Sequence, residues 1–528
     1  MYDTNNNSNN KGSKGFFSAV KQRIGMRIHR YRERLDINVT GMPHHLVTAV
    51  LIGTAAVEAL AIGLILTLNL LPLKFLLLFL FIIIAIDAGI LALILNKKRG
   101  RKRAYTGLII SLLVMILFLP ASYFMYSTGD ALQRISAMRD QWEDFYVIAL
   151  EKGSYEELND IKDKEVHAID NASKMIKEAN ERLITTADVE IKGESDIISL
   201  ANQLQDEQGG LHDNLIFTSE SYYDIQCEEL KDFKKNTKVI YTMKVKKRSK
   251  GSGRRINVTE DPFNVYITGL DSWGSIDKVS RSDVNMIMTV NPQTRQILLT
   301  SIPRDAYVEL HSFGQMDKLT HSGIYGVEET IDTVQDWLDT DMDFYVKVNF
   351  SMLIRLIEAV GNIDVYSDEA FESSVSKYSY KKGWNNLHGK QALFFARERK
   401  SFEKGDAKRI KNQQRVAEAL IRKITNSRVL LTRYNMILDA VSENMVTNMR
   451  KRDISALVRM QLRDMDKKWT VNTYSIACTE ASEGTYSMGM GRKLYVNIPK
   501  EESVEKAKKM IHDTMYPAEA VEETNLIP

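Results

Sequence analysis

Acidic and guanidinium side chains gather between Pro262 and Asp305, in PFNVYITGLDSWGSIDKVSRSDVNMIMTVNPQTRQILLTSIPRD. Asp271, Arg281, Asp283, Arg304 and Asp305 fall at the ends of three apolar runs, Phe263–Gly269, Asn285–Val290 and Gln296–Ile302. Turn residues separate the runs, so they predict short strands. Carboxylates and arginines concentrated at strand ends suit a metal ion and an anion; surface ion pairs around turns are the plainer reading of the same residues. A second polar group follows: Arg397-Glu398-Arg399, then Arg409 and the neutral Gln413 in a stretch that opens a long helix at Gly405-Asp406. Arg409 and Gln413, four apart, share one helix face. Asp406 is placed to act as the N-cap. Arginine forks capture phosphate oxygens in pairs, and several together neutralise a diphosphate. Asp271 and Asp283 are hard carboxylates of the kind that hold Mg²⁺ jointly with substrate phosphates. Metal plus arginine clamp is a recurring way to stabilise charge in phosphoryl transfer. The sequence shows no Ser-His-Asp triad, cysteine nucleophile or HExxH pattern, which favours direct transfer without a covalent enzyme intermediate.

The elements that must position these residues can be read from periodicity. Val327–Leu338 predicts a helix, Asp343–Phe350 a strand, and Met352–Val360 a helix that stops at Gly361. The apolar runs Leu393–Ala396 and Met352–Val360 read as core, with a lipid slot as the functional alternative. Upstream, 127–250 forms a separate block of small α+β type. Residues 130–150 and 155–185 show helical periodicity and Asn236–Val245 reads as a strand. A basic Gly/Ser stretch, Lys246 to Arg255, predicts a linker.

Three apolar runs, His45–Leu71, Phe75–Leu95 and Ala104–Tyr126, are each long enough to cross a hydrocarbon core of ~30 Å. Residues 1–15 predict disorder, and Phe16–Leu35 a basic amphipathic helix suited to an anionic leaflet. The loop Asn96–Arg103 carries six basic residues, which assigns it and the N-terminus to the cytoplasm and everything after Tyr126 to the outside. Glu58 and Asp87 lie inside spans, where acids are costly; hydrogen bonding across the hairpin and contact with a substrate head group both remain open. The chain has 528 residues and a net charge of +3, which speaks against a generic nucleic-acid binder. Its two cysteines, Cys227 and Cys478, exclude a disulfide-rich scaffold and a cysteine zinc cluster and predict two free thiols.

Taken together, Asp271, Arg281-Ser282-Asp283, Ser301-Ile302-Pro303-Arg304-Asp305, Lys318…His321, Leu387-His388-Gly389…Gln391-Ala392-Leu393, Arg397-x-Arg399 and Gly405-Asp406…Arg409…Gln413 resemble the LytR–CpsA–Psr family over roughly 262–515. Three spans with an intervening outer domain resemble its capsule-type members. The resemblance implies a layered α/β/α catalytic domain with a central sheet and a hydrophobic pocket for a polyprenyl chain. It implies an enzyme that transfers a glycopolymer, here capsular polysaccharide, from a polyprenyl-(pyro)phosphate carrier to peptidoglycan, with Mg²⁺, or Mn²⁺ in its place, as cofactor. Asp271 and Asp283 would hold the metal. Arg281, Arg304, Arg397, Arg399 and Arg409 would hold the phosphates, with Gln413 in support; Asp283 or Asp305 would be the base. Partners would be the carrier-linked polymer, peptidoglycan, the membrane and capsule-synthesis proteins, and not nucleic acid. Asn412 stands where the family usually has Arg, a departure expected to weaken one phosphate contact; Val327 and Asn362 replace glycines in loops. A membrane regulator of envelope synthesis, acting through its cytoplasmic face, and a pyrophosphatase that cleaves the carrier are the rival functions.

Overall fold

The computed structural model describes residues 44–95, 101–136, 141–170, 173–206, 208–247, 254–270, 275–403, 405–426 and 428–517. The amphipathic N-terminal segment, the loop 96–100, most of the 246–255 linker and Asp271 lie outside these residues. Two compact units divide at Asp130.

In the first unit α1 (His44–Leu68), α2 (Leu73–Leu95) and α3 (Arg101–Ser136) follow one another, and all three are long and apolar enough to cross a membrane. Polar side chains tie them together, as expected where lipid offers no partner. Thr54 and Ser111 share a hydroxyl hydrogen bond of 2.8 Å between α1 and α3. Glu58 is buried, with Asp87 of α2 close enough to act on its carboxyl group. The third helix continues past Tyr126, where the apolar run ends, to Ser136.

The second unit begins with a five-stranded sheet in the order β3-β2-β4-β1-β5. Its strands are β1 (Gln141–Leu150), β2 (Glu165–Ile169), β3 (Glu190–Glu194), β4 (Ile216–Ser219) and β5 (Thr237–Lys247). The helices α4 (Lys174–Ala187) and α5 (Glu220–Glu229) pack on it. This corrects the helical expectation over 141–150 and 165–169. β2 is buried continuously from Val166 to Ile169, and β1 from Val147 to Leu150; a strand covered on both faces loses its two-residue alternation. Lys246 and Lys247 belong to β5 and not to a linker.

The second sheet runs β10-β9-β6-β7-β8-β11. Its members are β6 (Phe263–Gly269), β7 (Val284–Asn291), β8 (Gln296–Ile302), β9 (Phe344–Val348), β10 (Met445–Thr447) and β11 (Thr470–Ser475). Between β8 and β11 the chain forms α6 (Val327–Leu338), α7 (Phe350–Val360), α8 (Gly389–Arg397) and α9 (Gly405–Thr425); α10 (Glu501–Met515) follows β11. Successive residues of β8 point to opposite faces. Leu298 joins a core with Val327, Val334, Val504 and Ile511 of α6 and α10. Ile297 and Leu299 join another with Ala417 and Ile421 of α9. The result is the expected α/β/α layering. Gln414 fixes α9 on the sheet by donating Nε2 to the carbonyls of Leu299 and Tyr474, at 3.1 and 2.6 Å. Asn349 caps α7 by accepting from the Met352 amide at 3.0 Å, so this helix starts two residues before the apolar run and the strand ahead of it is shorter than expected. The runs Met352–Val360 and Leu393–Ala396 are core: Ile357, Val360, Leu393 and Phe395 are buried.

Candidate active site

Parallel pairing of β6 with β9 and of β8 with β11, with β7 antiparallel between β6 and β8, sets three chain segments at one end of the sheet. Gly269 lies opposite Val284 and Asn285 opposite Ile302, so 281–283 and 303–305 are neighbours. These are the carboxyl ends of the parallel strands, where open α/β sheets place ligands.

Arg304 stands at the centre. Its Nη1 donates to Asp283 Oδ1 at 2.7 Å, and its Nε lies 3.5 Å from Asp305 Oδ2. Lys318 Nζ approaches the other oxygen of Asp305 at 3.5 Å. Burial opposes the charge on Arg304, but Asp283 and Asp305 outweigh it and hold the guanidinium above its usual pKa. The situation of Arg409 is the reverse. It is buried on α9, its nearest acid is Asp406 at 3.1 Å, and its Nε has no hydrogen-bond partner. Burial, and then the neighbouring charge of Arg304, push its pKa down. Two guanidiniums within each other's field, one of them with an unpartnered Nε, favour an anion in the space they face.

That space is a cavity of about 220 Å³ lined by Arg304, Arg397, Arg399, Lys400, Arg409, Ser374 and Val375. Five cations and no described carboxylate line it. The Arg-x-Arg pair owes its direction to Glu398. Where α8 ends the backbone turns extended, so alternate side chains diverge. Glu398 turns inward, wholly buried, and accepts from Ser374 N and Oγ at 2.6 and 2.9 Å and from Arg399 N and Ser401 N at 3.0 and 3.1 Å. Burial raises its pKa, but these bonds outweigh burial and hold the carboxyl below its usual range. Arg397 also stacks on Phe350, 4.4 Å from the ring centroid, beside an apolar cluster of Phe350, Ile354 and Leu393.

Arg304, Arg397, Arg399 and Arg409 therefore converge on one cavity, with Asp283 and Asp305 behind Arg304. Gln413 is half-buried on α9 and does not line the cavity. Asp406 is not a cap, because α9 begins at Gly405; its carboxylate lies in the first turn, facing Arg409 and Arg399 at 3.1 and 3.6 Å. Asn412 is buried and donates to Phe395 O at 3.3 Å. Arg281 also lies off the cavity: Glu228 of α5 takes its two Nη atoms at 2.6 and 2.7 Å. Glu228, Lys400, Ser374 and Val375 carried no assignment from the sequence. Lys400 adjoins Arg399, a signal that was available; the other three are brought in by tertiary packing.

Among the described residues no group of three or more histidine, cysteine, aspartate or glutamate side chains could hold a metal ion. Mg²⁺ commonly needs only one or two carboxylates when substrate phosphates complete its shell. Asp283, whose Oδ1 accepts from the cavity-lining Arg304, is a donor of that kind; Asp271, the other expected ligand, lies outside the described residues. The two cysteines are free.

The chain belongs to the LytR_cpsA_psr family, whose pattern its residues 216–509 match. The match starts at β4, earlier than the span 262–515 read from the sequence. Among relatives, the chain is 38% identical over 190 residues to the polyisoprenyl-teichoic acid–peptidoglycan teichoic acid transferase TagU of Bacillus licheniformis, covering 36% of this chain and 60% of that protein. It is 37% identical over 204 residues to TagU of Bacillus subtilis, covering 38% and 65%. TagU of Enterococcus faecalis is 34% identical over 219 residues, covering 41% and 71%. The chain thus spans less than two thirds of the first two relatives. A crystal structure of B. subtilis TagV aligns at 29% identity over 48% of this chain and 98% of that one, with a TM-score of 0.41.

Proposed function

We propose that the chain is a membrane-anchored transferase that moves a glycopolymer from a polyprenyl diphosphate carrier to peptidoglycan outside the cell, with capsular polysaccharide as the polymer. The observation that carries this reading is the cavity lined by five cations and no described carboxylate, set at the strand ends beside Asp283 and Asp305. The names of the TagU relatives support the class of reaction. The basic loop at 96–103 supports an external catalytic domain.

In this reading Arg304, Arg397, Arg399, Lys400 and Arg409 hold the donor's phosphates. The Phe350–Ile354–Leu393 cluster gives the first carrier isoprenes an apolar neighbour. An acceptor sugar hydroxyl attacks the phosphorus nearer the polymer. The new O–P bond forms as the bridging P–O bond breaks, polyprenyl phosphate departs, and the hydroxyl proton passes to Asp283 or Asp305, the two carboxylates that flank Arg304. Asp283, with Asp271, would hold Mg²⁺, which when bound adds positive charge to the phosphates.

The test measures polymer covalently attached to purified peptidoglycan. Arg304→Ala and Arg409→Ala each remove a charge-assisted contact of about 1.5–3 kcal/mol, so transfer should fall roughly tenfold to a hundredfold. Lysine should restore little, because it presents a point charge and not a fork. Asp283→Asn and Asp305→Asn separate the two candidate bases. Normal attachment in the arginine variants, with loss when Arg23, Arg27 and Arg30 are neutralised, would favour the regulator. Carrier cleavage without attachment in the unaltered protein would favour the pyrophosphatase.

A further inference from the structure

The helix α5 packs on the first sheet of its unit, yet it also reaches the residues that lead into Asp283. Glu220, Asp224 and Glu228 recur every four residues and so form one acidic stripe. That stripe faces the loop between β6 and β7. Glu220 pairs with Lys278, and Glu228 takes Arg281 in a two-point fork at 2.6 and 2.7 Å. The contact is anchored on both sides. Ser221 Oγ donates to Val279 O at 3.2 Å, Trp142 of β1 exchanges backbone bonds with Asp277 and Val279 at 3.1 and 3.0 Å, and Lys347 of β9 donates to Lys278 O. At the far end of α5, Arg492 donates to Glu229 O at 3.0 Å. Residues 277–281 are thus held between the two sheets.

A carboxylate gripping both Nη atoms of an arginine presents the geometry of a phosphate in the same fork. Arg281 is within the field of Asp283, which is bonded to Arg304, and Arg304 lines the anion cavity. The row therefore runs from the cavity through Arg304 and Asp283 to Arg281 and Glu228. One phosphoryl group can be satisfied by the cavity cations alone. A second, joined to the first through one oxygen, brings more negative charge to a site whose next cation along this row is Arg281. The Glu228 side chain is 57% exposed and that of Arg281 25%, so the acid is the partner that can swing into water.

We propose that Glu228 is a specificity-determining residue of the site: its carboxylate occupies Arg281 until the second phosphate of a diphosphate donor displaces it, and it reclaims Arg281 when only a monophosphate remains. This rests on the transferase reading, in which the donor carries a diphosphate and the departing carrier a monophosphate. The site then grips donor by one arginine more than product, and the closing of Glu228 on Arg281 accompanies product release.

The experiment uses the full chain in lipid nanodiscs, with geranyl diphosphate and geranyl monophosphate as probes and binding read by calorimetry. Glu228→Gln keeps the side-chain size at an exposed position, and an unchanged thermal midpoint verifies its fold. It should tighten diphosphate binding about two- to fivefold, the range set by a partly exposed ion pair, and leave monophosphate binding unchanged. Arg281→Ala should weaken diphosphate binding only, and in that background Glu228→Gln should have no effect. Unchanged or weaker diphosphate binding in Glu228→Gln, or equal tightening of both probes, overturns the proposal. Arg304→Ala and Arg409→Ala report separately on the cavity: if neither weakens either probe, the anion site itself is misassigned, whatever Glu228 does.

Discussion

Arg409 and Glu143 show how burial acts on opposite charges. At Arg409 burial and Arg304 together disfavour the guanidinium, and a bound anion relieves both. Glu143 lies on β1, 1% exposed, and accepts from the Ser221 amide at 3.2 Å. Burial raises its pKa from 4.5 to about 7, against the lowering effect of its bonds to Ser221 and Ser219. Below pH 4.5 both folded and unfolded chains hold the proton, and the residue is neutral to stability. Between 4.5 and about 7 only the unfolded chain has released it, so stability falls as pH rises; above 7 the loss is constant. The total is about 3 kcal/mol. Glu143→Gln should therefore gain thermal stability relative to the unaltered chain as pH rises through this window and keep the gain above it. Melting curves that stay parallel from pH 4 to 8 would contradict this assignment.

The short helical segment after Lys318 packs its backbone against the arginine loop. A Cβ on Gly323 would lie 2.6 Å from both Ser280 O and Ser282 N and 3.0 Å from the Arg281 carbonyl carbon, all of them main-chain atoms that cannot turn aside. Gly323→Ala should cost about 1–3 kcal/mol and, by displacing 280–282, lower transfer by more than the lost folded fraction explains. The thermal midpoint and the attachment assay together check this; a stable, fully active variant would refute it. Elements of this catalytic half were legible because their signals are local. Val327–Leu338 and Phe263–Gly269 have the expected bounds, each punctuated by turn residues and carrying its own period. In the first sheet, β1 is buried at Glu143 and Phe145 and continuously from Val147 to Leu150, and that last run has no period to distinguish strand from helix. At the site the arginines were legible by type and spacing. Ser374 and Val375 were not, since a serine and a valine in a hairpin signal nothing by themselves. Nor was the Glu228–Arg281 pair, which joins residues 53 apart from elements of different sheets.

For the molecule as a whole, three apolar helices precede the catalytic unit, and the orientation proposed from the basic loop can be checked directly. Cysteine introduced at Ser249, with Cys227 and Cys478 changed to serine, should react with an impermeant maleimide in intact wall-stripped cells; reaction only after lysis would reverse the topology and end the transferase reading. The arrangement of charge at the strand ends has a further consequence. Arg281, Asp283, Arg304, Asp305 and Lys318 alternate in sign, each within the field of the next. A change at one member alters the partner choice of all the others, so substitutions here should not act independently. Double-mutant cycles along the row should give coupling energies that outlast direct contact. A lineage drifting at one of these positions would regain function soonest by a compensating change at the next position in the row, a route no inspection of single variants would reveal.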